Sequence, residues 1–185
     1  MNVYKDGERM VGKQAPRFVM NAVMANKEFK KVSLEENMRD GKCIVLFFYP
    51  MDFTFVCPTE ITAMSDCYDE FQDLEVVVIG VSIDTIHTHL AWINTDRKNG
   101  GLGDLNYSLA ADTNHAVSQE YGVLIEEEGM ALRGLFIINP EGEIMYQVVF
   151  HNNNGRDVNE TLRVLQALQT GGLRPVNWKP GQKTL

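Results

Sequence analysis

The stretch Cys43–Pro50, CIVLFFYP, constrains this chain more than any other: it is apolar throughout, rich in aromatic and β-branched residues, and stopped by a proline. A run with no polar alternation suits a strand covered on both faces, which puts a central strand between two layers. A second such run, Glu75–Ile83 (EVVVIGVSI), follows a segment in which Ile61, Met64, Tyr68 and Phe71 recur at helical spacing. The order strand, helix, strand continues downstream. A helix is predicted near His87–Arg97, a glycine-rich loop at Gly100–Gly103 and a short helix near His115–Tyr121. The strands Gly134–Asn139 and Glu143–Phe150 form a hairpin around Pro140-Glu141-Gly142, a turn composition. A last amphipathic helix over Asp157–Gln169 aligns Val158, Leu162, Leu165 and Leu168 and ends before Gly171 and Gly172.

Alternating strands and helices make an α/β fold, a central β-sheet flanked by helices. At 185 residues and 44% hydrophobic content the chain can bury one core, so residues 1–170 read as one domain. Residues 171–185 read as a C-terminal arm. The arm's LRPVNWKPGQKTL has two prolines and no period, so it is expected to be extended and to gain order only by docking.

The balance of 17 basic against 25 acidic residues, −8 overall, leaves no surplus of cations for phosphate backbones or anionic lipid. No nucleic-acid or membrane partner is expected. No apolar run approaches the ~20 residues that cross a bilayer. The polar MNVYKDGERM start has no apolar leader core, so the chain is expected to be cytoplasmic.

Three cysteines, Cys43, Cys57 and Cys67, are an odd number with no C-x-x-C pair, which suits free thiols in a reducing compartment. Cys57 stands apart from the other two. It comes shortly after the central strand and just before Pro58, a residue favoured in the first turn of a helix. There, unpaired backbone N–H groups and the positive end of the helix dipole favour thiolate, the nucleophilic form of sulfur. A lone cysteine is otherwise most often a small buried hydrophobe, and Cys43 and Cys67 are read that way.

The surroundings of Cys57, PMDFTFVCPTE, resemble the peroxiredoxin active-site loop Pro-x-x-x-Thr-x-x-Cys at Pro50, Thr54 and Cys57. The likeness extends to Leu132-Arg133-Gly134-Leu135-Phe136-Ile137, to GGLG at Gly100–Gly103 and to Gly155-Arg156-Asp157 before the last helix. It is strongest to the typical two-cysteine branch that includes the peroxidase component of alkyl hydroperoxide reductase. The resemblance implies a thioredoxin-like fold with a mixed sheet. It also implies a thiol peroxidase in which Cys57 reduces hydrogen peroxide or alkyl hydroperoxides and becomes a sulfenic acid.

Negative charge grows on both peroxide oxygens as the O–O bond lengthens, so fixed donors stabilise the transition state more than the ground state. Arg133, the Thr54 hydroxyl and loop N–H groups are the expected donors, with Pro50 shielding the thiolate from water. Glu60 is expected to hold an arginine toward the thiolate, with Arg156 as the second member of that network. The branch also carries a second, resolving cysteine in its arm, before Trp-Lys-Pro-Gly. Here Arg174 stands at that position, ahead of Pro175 and Trp178-Lys179-Pro180-Gly181.

Neither remaining thiol substitutes for it. Cys67 lies on the same predicted helix as Cys57 at ~15 Å of axial rise, and Cys43 begins a strand whose far end, ~20 Å off, leads to the site. A disulfide needs Cα atoms within ~7 Å. An external thiol, from a thioredoxin-like or flavoprotein reductase system, is therefore expected to restore Cys57. The resemblance further implies a homodimer that pairs edge strands, and in many members a decamer of five dimers. An oligomeric peroxide sensor or holdase is the alternative. A disulfide oxidoreductase is disfavoured because Glu60 occupies the second position of C-x-x-C.

No metal or cofactor is expected. His87 and His89 are two apart on a helix and point in different directions. Gly100–Gly103 also lacks the G-x-G-x-x-G spacing after a strand that cradles a dinucleotide.

Overall fold

The computed structural model describes residues 9–185. Of the polar start on which the cytoplasmic expectation rested, only Arg9 and Met10 fall among them. In chain order the elements are β1 (Val19–Val23), β2 (Phe29–Ser33), α1 (Leu34–Arg39), β3 (Cys43–Phe48), α2 (Cys57–Asp66) and α3 (Tyr68–Asp73). Then come β4 (Val76–Ser82), α4 (Ile86–Ile93), a 3-10 turn (Arg97–Asn99), β5 (Ser108–Ala111) and α5 (Ala116–Glu120). The last are β6 (Leu124–Ile125), β7 (Met130–Ala131), β8 (Arg133–Ile138), β9 (Ile144–Phe150) and α6 (Val158–Gln169).

Seven strands form one mixed sheet in the order β2-β1-β5-β4-β3-β8-β9. β3, β4 and β5 run parallel, and β8 joins β3 antiparallel with Val45 opposite Ile137. The apolar run over β3 is explained by its position: Ile44 to Tyr49 are all 0% exposed. Side chains alternate along it. Val45, Phe47 and Tyr49 enter the core beneath α2, α3, α4 and α6, while Ile44, Leu46 and Phe48 enter the opposite core with Tyr121 and Phe136. Burying each such side chain stabilises the fold by ~1.5–3 kcal/mol, so β3 is the rigid rail to which the following loop is fixed. The sandwich thus has the mixed sheet and flanking helices expected of a thioredoxin-like fold.

Three features differ from the sequence reading. The helix expected to run unbroken through Phe71 stops at Asp66, and Cys67 occupies the break before α3 with φ −97° and ψ 13°. Five strands (β1, β2, β5, β6, β7) and α1 were not foreseen, because each is a run of two to six residues with few large apolar side chains; in β2 only Val32 is buried. The arm has no helix or strand, but it is turned back on its own domain instead of extended. Trp178 is 4% exposed, its carbonyl accepts from Arg163 Nη1 at 3.2 Å, and Leu185 N–H donates to Leu173 O at 2.7 Å.

The glycine loop has a packing role. Trp92 Nε1 donates to Gly100 O at 2.8 Å, and a Cβ on Gly101 would sit 1.9 Å from the Thr95 carbonyl oxygen. Only glycine passes there. Among the described residues no helix is long and apolar enough to cross a membrane, and no three His, Cys, Asp or Glu side chains gather as a metal site.

Candidate active site

β3 delivers the chain to Pro50, and the loop that follows turns directly into α2 with Cys57 as its first residue and Pro58 behind it. No side chain caps this helix; Pro58 has no N–H to satisfy, and the Thr59 N–H donates to the Val56 carbonyl at 3.1 Å. Cys57 is 0% exposed and forms the floor of a cavity of about 530 Å³. Pro50, Met51, Thr54, Phe55, Ile125, Met130, Leu132 and Arg133 contribute to its walls. The short β6–β7 hairpin brings Ile125 and Met130 to that wall.

The sheet brings the expected charged groups together from distant parts of the chain. Arg133, the first residue of β8, points Nη1 at Cys57 Sγ, 3.4 Å away, and the same nitrogen donates to Glu60 Oε2 at 2.5 Å. Its Nε donates to the Asn152 carbonyl at 2.9 Å, so the guanidinium is fixed on two sides. Arg156 embraces the same carboxylate: its N–H and Nε donate to Glu60 Oε1 at 2.7 and 2.9 Å, and Nη2 donates to Oε2 at 3.1 Å. Its Nη1 donates to the carbonyls of Phe48 and Gly134 at 2.9 and 2.6 Å. Arg156 thereby ties the ends of β3 and β8 to α2.

All three side chains are 3% exposed. Burial pushes the Arg156 guanidinium down from its ordinary value, and the Glu60 carboxylate opposes that. Two buried guanidiniums against one carboxylate leave a positive charge that a Cys57 thiolate matches.

Nucleophile, guanidinium and apolar cavity form a thiol site, and comparison with known proteins decides which kind. The AhpC/TSA family matches residues 11–147. The protein YkuU of Bacillus subtilis (strain 168) is 83% identical over 178 residues, covering 96% of this chain and 99% of that protein. The chain belongs to the AhpC/TSA family and is a peroxiredoxin. The chloroplastic 2-Cys peroxiredoxin BAS1 of Spinacia oleracea is 52% identical over 180 residues, 95% of this chain and 67% of that one. The reduced 2-Cys peroxiredoxin of Plasmodium vivax superposes with a TM-score of 0.92 at 36% identity, covering 96% of this chain and 93% of that one.

Within this peroxiredoxin, Pro50, Thr54, Cys57, Arg133, Glu60 and Arg156 all meet at one place, as the sequence led us to expect. The Thr54 hydroxyl donates to the Met51 carbonyl at 3.2 Å, which leaves its oxygen lone pairs unspent by that bond. The Asn152 carbonyl that steadies Arg133 was not foreseen, since a backbone oxygen leaves no signal in residue identity. Ile125 and Met130 were missed because strands of two residues carry too little pattern. Cys43 begins β3 at the end remote from the site and, like Cys67, is partly buried against the core.

Proposed function

We propose that this peroxiredoxin reduces hydrogen peroxide and alkyl hydroperoxides through a sulfenic acid on Cys57, and that an external thiol protein restores the thiol. The observation that carries this reading is the 3.4 Å approach of Arg133 Nη1 to Cys57 Sγ, by a guanidinium that Glu60 holds in place. The thiolate attacks the terminal peroxide oxygen, the S–O bond forms as the O–O bond breaks, and the departing alkoxide or hydroxide takes a proton from water, which balances the one lost when the thiol ionised. Arg133 lies where negative charge develops, and the Thr54 oxygen accepts a hydrogen bond from the peroxide O–H and so orients it. Met51, Phe55, Ile125, Met130 and Leu132 give an alkyl group an apolar wall.

The second half of the cycle follows from where the cysteines are. None occurs after Cys67, and Arg174 holds the arm position at which the resemblance places the resolving thiol. The nine helical steps from Cys57 to Asp66 already separate Cys57 from Cys67 by ~13 Å along the axis. The sulfenic acid therefore waits for a thiol from outside. For assembly, β9 is an edge strand with Met145, Val149 and Phe150 36–40% exposed, and pairing two β9 edges would form the homodimer.

The decisive assay is steady-state peroxide consumption with a thioredoxin system and, separately, with a flavoprotein disulfide reductase system. Sustained turnover with at least one supports the proposal. A single stoichiometric burst with both rejects it.

A further inference from the structure

Behind the catalytic loop lies a buried polar cluster that the peroxide chemistry does not use. Asp52 and His89 have side chains 0% exposed, with His89 Nδ1 2.7 Å from Asp52 Oδ2. The other ring nitrogen, Nε2, lies 3.2 Å from the Ala110 carbonyl on β5. Tyr49, at the end of β3, donates its hydroxyl to Asp52 Oδ1 at 2.8 Å. The Asp52 N–H donates to Asp84 Oδ2 at 2.8 Å, and Ser82 Oγ donates to the same oxygen at 2.9 Å. Both ring nitrogens thus face acceptors. The ring is thereby held from both sides, by the Asp52 carboxyl and by the β5 backbone. Burial raises the Asp52 carboxyl and the His89 contact opposes it.

The cluster acts on a strained place. Phe53, next to Asp52, has φ +55°, a left-handed conformation that costs a bulky residue ~1–3 kcal/mol and persists only where surroundings over-determine it. Asp52 is anchored on one side of it, and the Phe53 ring packs on Trp92 of α4 at 5.6 Å. On the other side is Thr54, whose hydroxyl reaches back to Met51 O. Relaxing Phe53 would rotate the Thr54 peptide and break that bond.

Resting on the peroxidase reading above, we infer that Asp52 and His89 are positioning residues for the peroxide step: their buried hydrogen-bonded pair holds the strained turn at Phe53 and so sets the direction in which Thr54 meets the substrate. Neither side chain touches peroxide.

The test compares two rate constants for Cys57 in the same protein, with hydrogen peroxide and with iodoacetamide. Alkylation requires the thiolate but no Thr54 hydrogen bond. In Asp52→Ala and His89→Ala the peroxide constant falls at least tenfold, as a displacement of order 1 Å can cost up to ~100-fold, while alkylation does not slow. Asp52→Asn can donate to a neutral imidazole and still accept from Tyr49, so its ratio of the two constants stays within about threefold of the parent, bond for bond. Should the alanine variants not fold, Tyr49→Phe removes one bond to Asp52 with almost no change of volume, and lowers the ratio about three- to tenfold. A peroxide constant that is unchanged, or that falls in proportion to alkylation, overturns the inference. So does a tenfold fall of the ratio in folded Asp52→Asn. A parent protein inert to peroxide would instead reject the peroxidase proposal itself.

Discussion

Cys57 alone among the three cysteines combines a helix start, an apolar cavity and a guanidinium within 3.4 Å. Cys57→Ser is therefore expected to abolish peroxide reduction, with Cys43→Ser and Cys67→Ser keeping most of it, as peroxide-consumption assays will read. Arg133→Ala removes the one side-chain donor at the sulfur among the described residues and should slow the peroxide step ~100–1000-fold, measured by stopped flow. A rate within a few-fold of the parent would make Arg133 merely structural. Glu60 has a different signature, since it neutralises two buried guanidiniums at once. Glu60→Gln should lower stability by ~3–5 kcal/mol in urea unfolding, the loss typical of removing one partner from a buried ion pair. Cys57 was legible because Cys-Pro at a helix start is a local pattern, whereas Arg133 and Glu60 were reached through the resemblance to the peroxiredoxin loop and arginine strand. Asp52 and His89 were not: a histidine on a helix does not name its partner, and 37 positions separate the two.

The most legible strands were those with long apolar runs. β3 and β4 read clearly since nearly every residue enters a core, and α6 read to within a residue because Asp157 caps it through Glu160 N–H. β1 and β2 pair at the sheet's other side; β2 buries only Val32, and β1 alternates in burial but with Asn21 and Ala22 in a five-residue run too short to stand out. The break at Cys67 was hidden because apolar spacing continues across it into α3, whose Phe71 packs in the same core. The loop after α4 yields a prediction of its own. Gly101→Ala would drive a methyl group into the Thr95 carbonyl, a backbone atom that cannot swing away. It should destabilise the fold by ~1–3 kcal/mol or more. Denaturant unfolding, with Trp92 fluorescence as the probe, will detect it; an unchanged midpoint would contradict the packing described.

At the scale of the whole molecule, the proposed cycle has Cys57 acting without a second thiol from its own assembly. Arg174 and the placement of Cys43 and Cys67 imply that peroxide-treated protein stays monomeric on a non-reducing denaturing gel. Arg174→Cys should then restore a peroxide-dependent disulfide between subunits, because Pro175 and Trp178-Lys179-Pro180-Gly181 still supply the arm. The most direct measurement is peptide mass spectrometry after one equivalent of peroxide, with dimedone present and external thiol absent. A dimedone adduct confined to the Cys57 peptide, giving way to a gain of two oxygens on Cys57 when dimedone is omitted and peroxide is in excess, is the expected result. A disulfide joining Cys57 to Cys43 or Cys67, or an adduct on either of those thiols instead, would contradict it.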